Sequence, residues 1–417
     1  MTVITESGFI HAGWLIDGTC GPVQQDMAVQ IDKGFIRSVA VFQEDLVSKP
    51  GALDLSDCTI LPGLVDAHVH LFMSGVNDPA LRALQLNADY NFIKPVIAKH
   101  LKQLHTYGVR AVRDGGDYGG YALRYKNECP DAPLCSVQIK TAGKAWRKSG
   151  RYGKLIGRPP ADGQTLAGAI ESQNISADHV KIVQSGLNSL TQFGRQTPPQ
   201  FTLEDLSKAV SAAHKKSLKV MVHCNGEQPV KTAVQAGCDS VEHGFFMGTD
   251  NLKRMADTGT VWVPTAVTMK AYAEHLNPDS TEAVMARRNL DHQLEQIAEA
   301  KGLGVVIALG TDAGSLGVHH GSAVFEELKL LISAGFTLPE AIQCATGNGA
   351  ELLDIKRQGQ ITKGMAATFI IFKGAPEKLL QNSGKSGFLT ELQAIKKIGF
   401  LKQGKATGFT MDEKPDF

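Results

Sequence analysis

Apolar and polar positions follow two regimes along the chain. From residue 8 to 60 they form short alternating runs, FIHAGWLIDG, DMAVQIDKGFIRSVAVF and CTILPG, with the period of strands that bury one face. The Asp32-Lys33-Gly34 step between two such runs predicts a hairpin turn. The same style returns after residue 355, in GQITKGMAATFIIFKG and AIKKIGFLKQGK. Between 61 and 354, eight apolar runs alternate with helical patterns: LPGLVDAHVH, VRAVRD, LCSVQIKTA, HVKIVQS, LKVMVHC, DSVEHG, TVWVPT and VVIALGTD. Helix ends are legible there. Thr202 offers a cap with Asp205 three residues on, Pro229 and Gly237 bracket a second helix, and a third runs from about Asp250 to Gly259.

Eight strands alternating with helices is the count of an α/β chain closed as a (β/α)8 barrel. The expected organisation is a barrel domain at 61–354 and a small β-sandwich domain assembled from 1–60 and 355–417. A doubly wound open sheet would usually carry a glycine-rich loop after its first strand, and neither GxGxxG nor GxxxxGKS/T occurs.

The chemistry concentrates where these strands end. In LPGLVDAHVHL, residues 61–71, His68 and His70 are two apart and share one strand face, so both imidazoles can converge on one metal ion. Later strands deliver Lys181, His223, His243 and Asp312 at the same relative place, the edge at which barrel loops converge. Cys224, beside His223, would face the other way as a small buried filler.

Composition narrows the classes. The chain has 417 residues, 43% hydrophobic and 20% charged, with formal net charge +1, so no global field draws it to nucleic acid or an anionic membrane. No apolar run reaches the roughly 18 residues of a spanning helix. Seven cysteines form no CxxC pair, which argues against a disulfide framework or a thiolate zinc site. The N-terminal stretch has no basic region followed by an apolar one, and a cytoplasmic protein is expected.

The motifs PGLVDAHVHL, VKIVQSG, VMVHCNG, SVEHG and ALGTDAG, with ATGNGAELL and GQITKGMAATFIIF, resemble those of the amidohydrolase superfamily of metal-dependent hydrolases. The VKI..SG form is similar to the branch holding prolidase-type dipeptidases, arginine carboxypeptidase-like enzymes and imidazolonepropionase relatives. The resemblance implies two divalent metal ions, most simply zinc, bridged by a carboxylated Lys181 and a hydroxide. It places His68, His70 and Asp312 on the first ion and His223 and His243 on the second, with Asp312 and His243 as the catalytic groups. A lysine between Val180 and Ile182 suits that role, because burying an unpaired ammonium is costly whereas its neutral amine can take up carbon dioxide as a carbamate.

The implied activity is hydrolysis of an amide bond in a dipeptide or N-acyl amino acid. A cyclic amide, lactone or phosphoester is the alternative in the same site, and a non-catalytic barrel for binding or assembly is the alternative of another class. The chain departs from the dipeptidase pattern at Asn225, where a second histidine often stands, and at Thr368, where an acidic residue is usual. Glu227 lies one residue too late for the deaminase HxxE, which with Lys181 weighs against deamination. Substrate-binding candidates are Asn225, Arg151 and Tyr152 in the basic loop GKAWRKSGRYGKLIGRPP, Arg195 in QFGRQTPPQF, and His319 beside His320. The expected partner is a small molecule, and a homo-oligomer is compatible with the family.

Overall fold

The computed structural model of the protein describes residues 8–44, 52–129, 137–173, 176–380 and the backbone of 388–389. The apolar run AIKKIGFLKQGK lies outside them. Four strands open the chain: β1 Gly8–Leu15, β2 Gln24–Asp32, β3 Phe35–Val41 and β4 Ala52–Pro62. β2 and β3 form the expected hairpin, with Lys33 and Gly34 both at positive φ in its turn. β1 pairs antiparallel with β2 and parallel with β4.

At Gly63 the chain leaves this sheet and enters β5, Leu64–Val69, whose six residues are all buried. Burial on both faces is the mark of a parallel strand covered on each side. Two more parallel strands follow, β6 Val109–Asp114 and β7 Gln138–Thr141. The basic loop contributes two short strands that its composition gave no sign of, β8 Ala145–Trp146 and β9 Gly157–Arg158. β10 His179–Val183, β11 Lys219–Cys224, β12 Ser240–His243 and β13 Val261–Val263 continue the parallel pattern.

The parallel strands form two hydrogen-bonded sheets, β5-β6-β7 and β13-β12-β11-β10-β8-β9. VVIALGTD, expected as the eighth strand, makes one isolated bridge, from Ile307 to Trp262, instead of a ladder, and Ala313 just after it bridges to Val69. It nevertheless bonds on both sides. Trp262 N–H donates to the Val306 carbonyl at 2.9 Å, while Ala67 N–H reaches Leu309 O at 2.8 Å and Asp312 N–H reaches His68 O at 2.7 Å. Gly310 permits that approach, since a Cβ there would come within 2.8 Å of His68 Cβ. Between β7 and β10, Asp178 N–H donates to Thr141 O at 3.0 Å without a ladder. The barrel is therefore not closed by continuous strand pairing among the described residues.

The helices keep their sequence signals with small shifts. Leu203–Lys215 is capped by Thr202, whose Oγ accepts from Asp205 N–H at 3.1 Å and donates to the Asp205 carboxylate at 2.9 Å. The next helix, Glu227–Gln235, begins two residues before Pro229, and Thr249–Thr258 ends on Gly259 in the left-handed conformation.

Near the C-terminus β14, Phe369–Lys373, and β15, Phe388–Leu389, add to the first sheet, giving the order β15-β14-β4-β1-β2-β3. GQITKGMAATFIIFKG yields one strand and a single bridge from Ala366 to Phe35, where two strands were expected. The described residues of the two terminal regions thus form one six-stranded sheet, with no second packed layer among them. Ile10, Leu15, Val29, Leu55, Ile60 and Phe369 belong to its own apolar core. No helix among the described residues is long and apolar enough to cross a membrane.

Candidate active site

The ends of β5, β10, β11 and β12 and the 305–315 segment bring His68, His70, Lys181, His223, His243 and Asp312 to one cavity of about 170 Å³. That is room for a small molecule rather than a folded chain. Ligand-type atoms of His68, His70 and Asp312 lie within 4.8 Å of one another, a group able to hold a metal ion. His68 Nε2 is 3.5 Å and His70 Nε2 3.4 Å from Asp312 Oδ1. The imidazole rings run on in a chain, with centroids 4.9 Å apart for His68 and His243 and 4.6 Å for His223 and His243.

Each ring is oriented by the nitrogen facing away from the cavity. His68 Nδ1 lies 2.8 Å from Glu242 Oε2, His70 Nδ1 3.0 Å from Gly116 O, and His243 Nδ1 2.7 Å from Thr265 Oγ1. His223 is held the other way round, with Nε2 3.2 Å from Gly186 O. Such contacts fix ring orientation and leave the second nitrogen free to act as a ligand. Burial keeps the imidazoles neutral, with His70 lowered to about 4 and His223 to about 3, and the Lys181 charge adds to the effect in both. Neutral imidazole is the form that binds a cation.

Lys181 is buried, and its Nζ has no hydrogen-bond partner; the same holds for His68 Nε2. Burial brings the lysine down to about 8, so a neutral amine is accessible near physiological pH. Asp312 is pushed up to about 7 by burial, partly offset by the hydrogen bond its Oδ2 accepts from Ser315 Oγ at 2.7 Å. Two orphaned nitrogens, four neutral imidazoles and a carboxylate directed at one space fit a cation site.

Two of these residues carry backbone strain. His243 has φ +67° and Asp312 φ +58°, conformations that side chains other than glycine adopt rarely and that cluster at functional sites. For His243 the consequence is specific. Strand alternation would send Glu242 and His243 to opposite faces, yet Glu242 bonds to His68 and His243 packs against the same ring.

Glu242 was not singled out from the sequence, nor were Arg113, Ser240 and Thr265. Glu242 Oε1 accepts from Arg113 Nη2 at 2.8 Å and from Ser240 Oγ at 2.6 Å. Arg113 Nε donates to Ala67 O, one residue before His68. The available signal was acidic and basic residues inside the apolar runs SVEHG and VRAVRD.

Among the substrate-binding candidates, Tyr152 and Asn225 line the cavity. Asn225 Oδ1 accepts from Phe245 N–H at 3.0 Å and its Nδ2 donates to Gly186 O at 3.3 Å, tying the loops after β10 and β12 together. Arg151, Arg195 and His319 do not line it. Arg151 donates to Pro198 O at 2.9 Å on the outer loops, and Arg195 and His319 are exposed. Cys224 is packed in the apolar core. Arg82, Met269 and Tyr272 line the cavity without having been singled out.

The α/β fold of parallel strands thus gathers histidines and an aspartate at its strand ends into a group that could hold a metal ion. The amidohydrolase family profile matches residues 59–406, and the chain belongs to that family of hydrolases acting on carbon-nitrogen bonds. It is 25% identical to ochratoxinase of Aspergillus niger over 412 residues, covering 88% of this chain and 81% of that one. Imidazolonepropionase of Pyrobaculum arsenaticum is 25% identical over 388 residues, covering 84% and 86%. Among solved structures, a Xaa-Pro dipeptidase with methionine bound in its active site superimposes with a TM-score of 0.75 at 28% identity, over 92% of this chain and 97% of that one.

Proposed function

We propose that this chain is a binuclear metal-dependent hydrolase of the amide bond in a dipeptide or N-acyl amino acid, built on a (β/α)8 barrel of residues 61–354 with a β domain drawn from 1–60 and 355–417. The observation that carries it is the buried, unpartnered Lys181 Nζ facing the same cavity as four neutral histidines and Asp312. In this reading the neutral Nζ attacks carbon dioxide and gives up a proton to water, and the resulting carbamate would help hold two divalent cations, most simply zinc. His68, His70 and Asp312 would complete one position and His223 and His243 the other.

When bound, the cations supply hydroxide at neutral pH and polarise the scissile carbonyl. Asp312 takes up the nucleophile's proton and passes it to the leaving amine, a role suited to a carboxylate that lines the cavity beside both His68 and His70. His243, held through Nδ1 by Thr265, has one nitrogen left, and as a ligand of the second cation it would act on the carbonyl oxygen through that cation. Glu242 and Arg113 hold His68 in place from behind.

The Xaa-Pro dipeptidase and ochratoxinase likenesses support an amide substrate. The imidazolonepropionase likeness favours a cyclic amide as the second reading. Parallel assays on linear N-acyl amino acids and on cyclic amides separate the two: the linear set should be turned over faster, and turnover confined to rings would transfer the assignment.

A further inference from the structure

Arg82 belongs to the helix Pro79–Asn87, which follows the loop leaving His70. Its Nη1 donates to Ser74 O at 2.7 Å and to Gly314 O at 3.0 Å. These carbonyls belong to the two segments that run on from His70 and from Asp312, so the guanidinium is pinned between them at the cavity wall. Among the described residues its hydrogen bonds are those of Nη1, and the carboxylate that acts on it, Asp312, does so from beyond ion-pair distance. A partly buried guanidinium with one edge anchored and the other unpaired presents the planar fork that a carboxylate accepts bidentately.

Arg151, Arg195 and Arg158 do not line the cavity. Arg151 is spent on Pro198 O, Arg195 is exposed, and the Arg158 guanidinium lies 4.9 Å over the Trp146 ring. The cavity that Arg82 lines also has apolar residues in its wall, Leu155, Ile156, Phe245 and Met269.

We infer that Arg82 binds the free carboxylate of the substrate while the apolar wall receives its side chain, selecting amino-acid derivatives with an unblocked carboxylate and an apolar side chain. The inference rests on the hydrolase reading for the word substrate, but its test does not require turnover. Metal-replete protein is titrated calorimetrically with 3-phenylpropanoate and with 3-phenylpropan-1-ol, which share the apolar group, differ in the charge and contain no amide. The parent should bind the acid at least about tenfold more tightly, the scale of one charge-assisted bidentate contact. Arg82→Gln should bring the two affinities to within about threefold while leaving that of the alcohol unchanged.

Arg82→Lys, which keeps a donor for Ser74 O and Gly314 O but loses the fork, should fall between and serves as the reference if the glutamine variant does not fold. A parent without acid preference, a glutamine variant that retains it, a lysine variant equal to the parent, or parallel loss of both ligands would overturn the inference; the last result would make Arg82 a loop clamp. An Arg82-dependent acid preference in a protein that cleaves no amide would uphold it while the proposed function failed.

Discussion

His68 Nδ1 and Glu242 Oε2 lie 2.8 Å apart with both side chains buried, and the other oxygen of the same carboxylate is 2.8 Å from Arg113 Nη2. The metal-ligand candidate on β5 is thus oriented by an acid on β12, itself neutralised from β6. Glu242→Gln leaves the Arg113 charge buried without its counter-ion, at a cost of about 3–5 kcal/mol. It should lower the thermal midpoint, and bound metal should weaken about 10–100-fold through the loosened imidazole. Calorimetry and metal content per chain measure both; unchanged metal affinity would remove Glu242 from the site.

Lys181→Met separates function from folding. The Nζ has no partner and its burial is costly, so in metal-free protein an apolar side chain of similar length should leave the thermal midpoint unchanged or higher. Metal content should fall below two ions per chain and amide hydrolysis by at least about a thousandfold, the loss expected when an electrostatic centre of the site is removed. A variant that keeps two ions and most of its activity would rule out the carbamate bridge.

His100 predicts a pH dependence of stability away from the catalytic rings. It stacks on His320 at 3.9 Å, with Nδ1 2.8 Å from Leu71 O and Nε2 3.0 Å from Ser74 Oγ. Burial lowers its pKa from 6.5 to about 4, so as acid is added the unfolded chain takes up this proton first. The stability it contributes is complete above pH 6.5 and is lost as pH falls from there to about 4, some 3 kcal/mol over the window. Denaturant titrations at several pH values should show His100→Gln with a shallower slope between pH 6.5 and 4; an identical slope would assign the effect to other groups.

Much of the architecture was legible because strand alternation and buried parallel runs leave direct traces. LVDAHV, HVKIV and KVMVHC form strands where their apolar runs stand, and the hairpin turns at Lys33-Gly34. The 305–315 segment was harder, because Gly310 and the left-handed Asp312 break the ladder that its apolar run suggested. The six residues share one cavity because each stands in or just after the last half of a parallel strand, or in the segment beside it, at the same edge.

The supporting residues were not legible. Glu242 reads as a strand acid, and only the left-handed φ of His243 lets both neighbours reach His68. Arg82 is the one charged residue of the helix Pro79–Asn87, and nothing in that segment signals its contacts to Ser74 and Gly314. Of the two candidates in the basic loop, Tyr152 lines the cavity and Arg151 turns to the Pro198 carbonyl.

The central claim is amide hydrolysis at this site. Purified protein loaded with zinc and bicarbonate should release free amino acid from pooled dipeptides and N-acyl amino acids, and Asp312→Asn, which keeps the side-chain shape but removes the proton acceptor, should lower that rate by at least about 100-fold. Release by the parent that collapses in the variant is the predicted result, with the fastest-cleaved pool giving the side-chain preference. No release from metal-replete parent protein, or equal release by both proteins, would contradict the account.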